Sequence, residues 1–191
     1  MIEQITDLQF KRVCMFINEH RDLMKKLFNI KVNLSSMDLM RSDCSSHFIR
    51  MMDDMDIHHD WIQFEITETV ATEYNAGLGM VIDGFMAAGV RLCLDDFGSG
   101  YANLNTVMRL PFSAIKIDRT LLFDICNDKK RAMFYQSIVE TFHRMGYSIV
   151  SEGVETEEEM SLLSSWGADM IQGYYFSRPV SGEEIVKKIL E

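Results

Sequence analysis

The sequence has few of the residues that cross-link or interrupt a chain. It contains four cysteines, none of them in a Cys-x-x-Cys pair, and only two prolines. A disulfide framework or a structural zinc site is therefore not expected, and the cysteines are predicted to be reduced, mostly buried thiols of a cytoplasmic protein. Because 47% of the residues are hydrophobic, disorder is not expected either.

The sequence also lacks an excess of positive charge and any long apolar run. Its 19 Lys and Arg residues stand against 29 Asp and Glu, which gives a formal net charge of −10. Proteins that bind nucleic acid or a membrane surface usually carry a basic face, so neither partner is expected. No stretch reaches the roughly 18 apolar residues of a membrane span, and no signal-peptide core is visible. The length, 191 residues, suits one domain.

Apolar periodicity predicts strands and helices in strict alternation. The predicted strands cover 30–34, 62–67, 91–94, 114–117, 148–151 and 170–174. The predicted helices cover 3–28, 46–55, 70–88, 101–109, 120–145, 156–166 and the chain from 182 onward. Such alternation predicts an α/β fold with a parallel sheet, either an open doubly wound sheet or a (β/α)₈ barrel. Neither GxGxxG nor GxxxxGK[ST] follows any predicted strand.

Polar side chains stand at the ends of six successive predicted strands. They are Asn33, Glu65, Thr67, Asp95, Asp96, Lys116, Asp118, Glu152 and Gln172. In a (β/α)₈ barrel the carboxyl ends of the strands meet at one rim, where catalytic residues lie. An inward-pointing charge is costly unless it is paired or bound to metal. Six such strand ends in phase therefore favour the barrel and predict a shared site.

Four of these residues, Asn33, Glu65, Asp95 and Asp96, offer only oxygen donors. Oxygen donors select Mg²⁺, Mn²⁺ or Ca²⁺ over zinc. Adjacent carboxylates can serve two neighbouring metal ions, which clamp the attacking and leaving oxygens of a phosphodiester. The pair His58–His59 is a rival metal site, but it precedes a strand, so a surface loop on the opposite rim is predicted.

Six segments resemble, in order and spacing, the EAL-domain family. They read KVNLS at 31–35, FEITE at 64–68, LDDFGSGYANL at 94–104, IKIDR at 115–119, SEGVET at 151–156 and QGYYFSRPV at 172–180. Members of that family are bacterial phosphodiesterases that linearise cyclic di-GMP, and their fold is a modified (β/α)₈ barrel. The resemblance implies that residues 1–191 form a single EAL-like domain, an incomplete barrel of about six βα units.

The resemblance also implies a role for each strand-end residue. The implied metal ligands are Asn33, Glu65, Asp95 and Asp96, and the implied cofactors are two Mg²⁺ or Mn²⁺ ions. The implied catalytic residues are Lys116, Glu152 and Asp96, with the first two positioning and activating the attacking water. The implied substrate contacts are Gln172 and Asp118. The residues implied to stabilise the adjoining loops are Glu68 and Glu155.

One motif of the family is missing from the sequence. No Glu-Ala-Leu tripeptide occurs in the 191 residues, although its glutamate completes the metal site of the family. The chain is therefore expected to lack the first one or two βα units, either as a fragment of a longer multidomain polypeptide or as a naturally shortened relative. Weak metal binding, impaired hydrolysis and self-association through open sheet edges are expected. The alternative is an inactive EAL-like module that binds cyclic di-GMP or a protein partner.

Overall fold

The computed structural model describes residues 2–73, 75–100 and 104–190. Six strands alternate with helices in these ranges. The strands are β1 (Ile30–Asn33), β2 (Ile62–Thr67), β3 (Arg91–Phe97), β4 (Ala114–Ile117), β5 (Ser148–Glu152) and β6 (Met170–Gln172). The α-helices are α1 (Ile2–Glu19), α2 (Ser36–Leu39), α3 (Cys44–Asp54), α4 (Glu68–Thr72), α5 (Ala76–Ala87), α6 (Leu104–Arg109), α7 (Lys129–Arg144), α8 (Glu157–Ser165) and α9 (Gly182–Leu190). Short 3₁₀ helices cover Leu23–Lys25, His59–Trp61 and Arg119–Leu121.

The chain divides into two compact units. The first comprises Met1–Ile66, Glu73–Leu92 and Val180–Glu191. The second comprises Thr67–Thr72 and Cys93–Pro179. Both contain parallel strands covered by helices, which is the arrangement that the alternating sequence pattern predicts.

The core of the first unit is built around Phe64 of β2. Strands β1 and β2 pair in parallel, with Val32 opposite Phe64. The Phe64 ring packs against Phe10 of α1, Phe48 of α3 and Phe85 of α5, with ring centroids 4.9–5.4 Å apart. Because side chains alternate along a strand, the polar residues on either side of Phe64 point to the opposite face of the strand pair.

In the second unit, strands β3, β4, β5 and β6 pair in parallel in chain order. The pairing of β3 with β4 is irregular, because Leu94 lies opposite Ile115 while Phe97 lies opposite Ile117. One extra residue is therefore inserted in β3, as in a β-bulge. Asp96, within the insertion, has a φ of 59°. This value lies in the left-handed region, which residues other than glycine seldom occupy.

The predicted strands 62–67 and 114–117 are confirmed, whereas two long predicted helices are much shorter and a third is divided in two. The helix predicted at 3–28 ends at Glu19, and the one predicted at 70–88 is the two helices α4 and α5. The helix predicted at 120–145 begins only at Lys129, since the Asp128 side chain caps it by accepting hydrogen bonds from the first-turn amides. Of the helix predicted at 101–109, residues 101–103 lie outside the described residues.

Two expectations drawn from composition can be compared with the structure. All four cysteines are free thiols, and three of them, Cys14, Cys44 and Cys93, are buried. In the described part of the chain, no helix combines the length and the apolar character needed to cross a membrane.

Candidate active site

Lys116 joins two carboxylates of the second unit. Its Nζ lies 2.8 Å from Asp95 Oδ1 and 2.8 Å from Glu152 Oε1. The three side chains come from the adjacent strands β3, β4 and β5, and only 7%, 10% and 15% of the Lys116, Asp95 and Glu152 side chains, respectively, is exposed. Buried charges persist where they are paired and hydrogen-bonded. One ammonium group therefore fixes the position of both carboxylates.

The bulge in β3 brings Asp96 to the same place. In a regular strand, adjacent side chains point to opposite faces of the sheet. Here Asp95, Asp96 and Glu152 each place a carboxylate oxygen within 4.8 Å of the others. The backbone amide of Asp96 donates a hydrogen bond of 3.0 Å to Asp95 Oδ1, which holds the turn. The extra residue and the left-handed backbone thus gather two neighbouring carboxylates.

Burial, together with the crowding of negative charge, perturbs the pKa of Asp96. Burial raises the pKa of its carboxyl above the ordinary value, and the nearby carboxylates of Asp95 and Asp118 raise it further, whereas Lys116 lowers it. A divalent cation would relieve this crowding, and three carboxylates are the donors that Mg²⁺ and Mn²⁺ prefer. The Asp95, Asp96 and Glu152 cluster therefore fits a hard divalent metal ion.

Glu68 holds the loop that follows Asp96. Its buried carboxylate accepts a hydrogen bond of 3.1 Å from the Gly98 amide. Gly98 has a φ of 92°, and a side chain there would overlap Leu121 Cδ1, so glycine is strongly favoured at this position. On the other side of the loop, Thr120 Oγ1 donates to the Gly98 carbonyl at 3.3 Å. Glu68 thus makes a contact of the loop-stabilising kind that the resemblance implies.

A groove of about 260 Å³ lies beside Glu152. Its lining residues are Asp118, Arg119, Glu152, Gly153, Glu155, Gln172, Gly173 and Tyr174. Gln172 is exposed at the end of β6, opposite Glu152 in the strand register. The Asp118 carboxylate accepts a hydrogen bond of 2.9 Å from the Thr120 amide. The backbone amide of Glu155 donates a hydrogen bond to the Glu159 carboxylate. This hydrogen bond does not involve the Glu155 carboxylate.

The first unit contains the other two predicted ligands. Asn33, at the end of β1, and Glu65, two residues before the end of β2, are register partners on the face opposite Phe64. Glu65 is buried and Asn33 is exposed. The structure thus pairs Asn33 with Glu65, and it gathers Asp95, Asp96, Lys116 and Glu152. A single site containing all six residues stays a prediction.

Two further polar residues on this face were missed by reading the strand ends alone. Lys31 Nζ lies 3.8 Å from Glu65 Oε1. Gln63 is buried, and its side-chain oxygen accepts a hydrogen bond of 3.4 Å from Asn29 Nδ2. Both precede a predicted ligand by two positions, so the period of two along a strand would have identified them.

The His58–His59 pair lies at the start of β2, where His59 begins a 3₁₀ helix instead of the predicted loop. His59 Nδ1 is 2.7 Å from the Ala88 carbonyl oxygen, and Nε2 is 2.9 Å from Asp53 Oδ1. The Ala88 carbonyl is the main cause of the raised pKa of His59, and Asp53 adds to it. With acceptors at both ring nitrogens, His59 is engaged as a structural residue.

Comparison with known proteins places these residues in a family. The family model for the EAL domain matches residues 1–179. The Pseudomonas aeruginosa protein named cyclic di-GMP phosphodiesterase PA2567 is 30% identical over 156 residues, which are 82% of this chain and 27% of that protein. The chain spans about a quarter of the length of the curated relatives it matches.

Solved structures agree with this assignment. The PaMucR phosphodiesterase in its c-di-GMP complex has a TM-score of 0.87 and 28% identity, covering 96% of this chain and 74% of that one. Klebsiella pneumoniae BlrP1, in a complex with manganese and cyclic di-GMP, has a TM-score of 0.82 and 27% identity, covering 95% and 47%. The predicted fold class, an incomplete EAL-type α/β barrel with six βα units, is confirmed. The chain belongs to the EAL domain family.

Proposed function

We propose that this chain carries out metal-dependent hydrolysis of cyclic di-GMP to the linear dinucleotide. One observation carries the proposal: Lys116 bridges Asp95 and Glu152 at 2.8 Å each, with an Asp96 carboxylate oxygen within 4.8 Å of theirs. A buried ammonium between acidic groups can hold a water molecule near a general base. The names of relatives that act on or bind cyclic di-GMP supply the proposed substrate.

The proposed metal ligands are Asn33, Glu65, Asp95 and Asp96, and Mg²⁺ or Mn²⁺ is the proposed cofactor. Such ions lower the pKa of a bound water and neutralise charge that develops on phosphate oxygens. The oxygen-only donor set supports this choice.

In the proposed mechanism, Lys116 positions the attacking water and Glu152 accepts its proton. The 2.8 Å bond between them keeps the Glu152 carboxylate in place while the oxygen attacks phosphorus in line with the departing ribose oxygen. Asp118 and Gln172, which line the groove beside Glu152, are the proposed dinucleotide contacts. Glu68 keeps the loop after Asp96 in position through the Gly98 amide.

The absence of a Glu-Ala-Leu tripeptide from these 191 residues favours low activity of the chain taken alone. Loss of a single electrostatic stabiliser typically costs about 10²–10³ in rate. The same absence favours a second candidate function, an inactive module that binds cyclic di-GMP or a protein partner. The two candidates differ in whether linear product is formed.

Product chromatography after incubation with cyclic di-GMP and Mn²⁺ or Mg²⁺ separates the candidates, alongside a binding titration. Slow hydrolysis that is abolished in Lys116→Met and retained in Lys130→Met supports the enzyme, since Lys130 is exposed on α7. Binding without product supports the second candidate. Hydrolysis that is equal in both variants would exclude Lys116 from the mechanism.

We also propose that residues 1–191 act as one EAL-like domain in the cytoplasm and self-associate. Free cysteines are compatible with a reducing compartment. Large apolar side chains on the surface support self-association, among them Phe123, Met133 and Phe134 at 58–68% exposure. Light scattering that gives the monomer mass over the micromolar range would contradict the self-association.

A further inference from the structure

The polar face of the β1–β2 pair carries a positive charge beside a proposed metal ligand. Lys31, Asn33, Gln63 and Glu65 share this face, because Lys31 lies opposite Gln63 and Asn33 lies opposite Glu65 in the parallel register. The ammonium of Lys31 is 3.8 Å from Glu65 Oε1. The side chains of Lys31 and Glu65 are 19% and 5% exposed, so solvent screens this pair only partly.

We propose that Lys31 is a resident cation that competes with a divalent metal ion for Glu65, and that it thereby sets how weakly the Asn33–Glu65 pair binds metal. This inference rests on the proposed function, in which Glu65 is a metal ligand. It adds a residue to which neither the strand-end pattern nor the family resemblance assigned a role.

The geometry explains why the two cations compete. A magnesium-like ion binds a carboxylate oxygen at about 2.1 Å. An ion held by Glu65 Oε1 would therefore lie at most about 5.9 Å from Lys31 Nζ in its present position, by adding that bond to the 3.8 Å separation. A single and a double positive charge repel each other at that distance. Even at an effective dielectric constant of about 20, this repulsion would weaken metal binding by more than about tenfold. Metal binding at Glu65 Oε1 must therefore displace the ammonium or overcome its field.

The competing interpretation is that Lys31 only neutralises Glu65 while no metal is present. A lysine stem is long and flexible, and its ammonium could move into solvent when a metal ion arrives. In that case removal of the Lys31 charge would leave the metal affinity unchanged. The two interpretations differ in a measurable equilibrium constant, which does not depend on catalysis.

The test is calorimetric titration of Mn²⁺ into the chain and its Lys31→Gln, Lys31→Arg, Glu65→Gln and double Lys31→Gln/Glu65→Gln variants. Glutamine keeps an amide that can donate a hydrogen bond to Glu65 but removes the charge, whereas arginine keeps the charge. We expect Lys31→Gln to bind Mn²⁺ at least about tenfold more tightly than the parent chain, and Lys31→Arg to match the parent. The double variant should lose the gain.

An affinity of Lys31→Gln equal to or below that of the parent overturns the inference, and so does an absence of measurable binding in both. If Glu65→Gln weakens binding while Lys31→Gln matches the parent, the inference fails and the proposed ligand survives. Glu65 is not a ligand if its replacement by glutamine leaves the Mn²⁺ affinity unchanged, both in the parent chain and in the Lys31→Gln variant. In that case the proposed metal site fails.

A second measurement covers the loss of stability that removal of a buried partner charge can cause. The rise in melting temperature produced by Mn²⁺ should be larger in Lys31→Gln and in Lys31→Met than in the parent chain, since binding to the native state raises stability by mass action. Circular dichroism follows both unfolding and any metal-dependent refolding. A smaller or equal rise in both variants contradicts the proposal.

Discussion

Replacing Lys116 with methionine removes the ammonium that bridges Asp95 and Glu152. Methionine matches the length of the lysine stem, so the packing changes little while the charge disappears. Two charge-assisted hydrogen bonds, each worth about 1.5–3 kcal/mol, are lost. Two carboxylates that are only 10% and 15% exposed are left facing each other. Removal of one partner from a buried ion pair typically costs about 3–5 kcal/mol, and we expect Lys116→Met to destabilise the chain by that amount.

Urea denaturation at neutral pH, without divalent cations, measures this loss through circular dichroism and the fluorescence of Trp61 and Trp166. Lys130→Met is the matched control, because this exposed lysine should change the free energy of unfolding by no more than about 0.5 kcal/mol. In the double variant Lys116→Met/Glu152→Gln, one of the uncompensated charges is gone. It should therefore be less destabilised than the sum of the single variants by about 0.5–3 kcal/mol.

A loss below about 1 kcal/mol in Lys116→Met, with the slope of the urea transition unchanged, would refute this reasoning. It would mean that Asp95 and Glu152 reorganise toward water without the ammonium, and that Lys116 does not fix the two carboxylates in the free protein.

Three further predictions concern other parts of the chain. Gly98→Ala should lower the free energy of unfolding by about 1–3 kcal/mol in urea titrations, because of the positive φ and the overlap with Leu121, whereas Gly100→Ala, which meets open space, should be near neutral. Asp95→Asn should weaken Mn²⁺ binding by at least about tenfold in calorimetry, with the exposed Asp54→Asn as control; equal affinities would exclude Asp95 as a ligand. The pKa of His59 is raised above 6.5 in the folded chain, so its stabilising effect is complete below that pH and is lost as the pH rises through the folded value. The urea midpoint should therefore fall more between about pH 6 and pH 8.5 in the parent than in His59→Asn, and equal falls would contradict the assignment.

The sequence predicts strands better than it predicts where helices begin. In the strand at 62–67 apolar residues alternate with Gln63 and Glu65, and in the strand at 114–117 they flank Lys116, so the period of two typical of strands is visible directly. The prediction of a helix fails where the helical spacing of apolar residues continues across a gap between two helices. The spacing across 70–88 hides the gap between α4 and α5, at whose end Asn75 caps α5 by accepting a hydrogen bond from the Leu78 amide.

The sequence predicts that the candidate site residues lie at strand ends and share a site, but it does not predict the contacts between their side chains. The position of Glu152 at the end of β5 follows from the β-branched residues Ile149 and Val150 that precede it. The bridging of two carboxylates by Lys116 depends on the registers between β3, β4 and β5, and no pattern within one strand specifies those. The strand-end pattern did not include Lys31, because Lys31 lies two residues before Asn33, the last residue of β1.

Because of the bulge, β3 has one residue more than β4 over the paired segment, and Asp96 lies in that segment. Asp95 points toward Lys116, and Phe97, two positions later, packs instead on Phe142 of α7 at a centroid distance of 5.0 Å. In an unbroken strand those two side chains would share a face. Without Asp96, Phe97 would follow Asp95 directly and would still point to α7. Deletion of this one residue therefore removes a carboxylate without inverting the residues around it. A single-codon deletion in this strand would therefore remove a proposed metal ligand while leaving the packing of Phe97 on Phe142 in place.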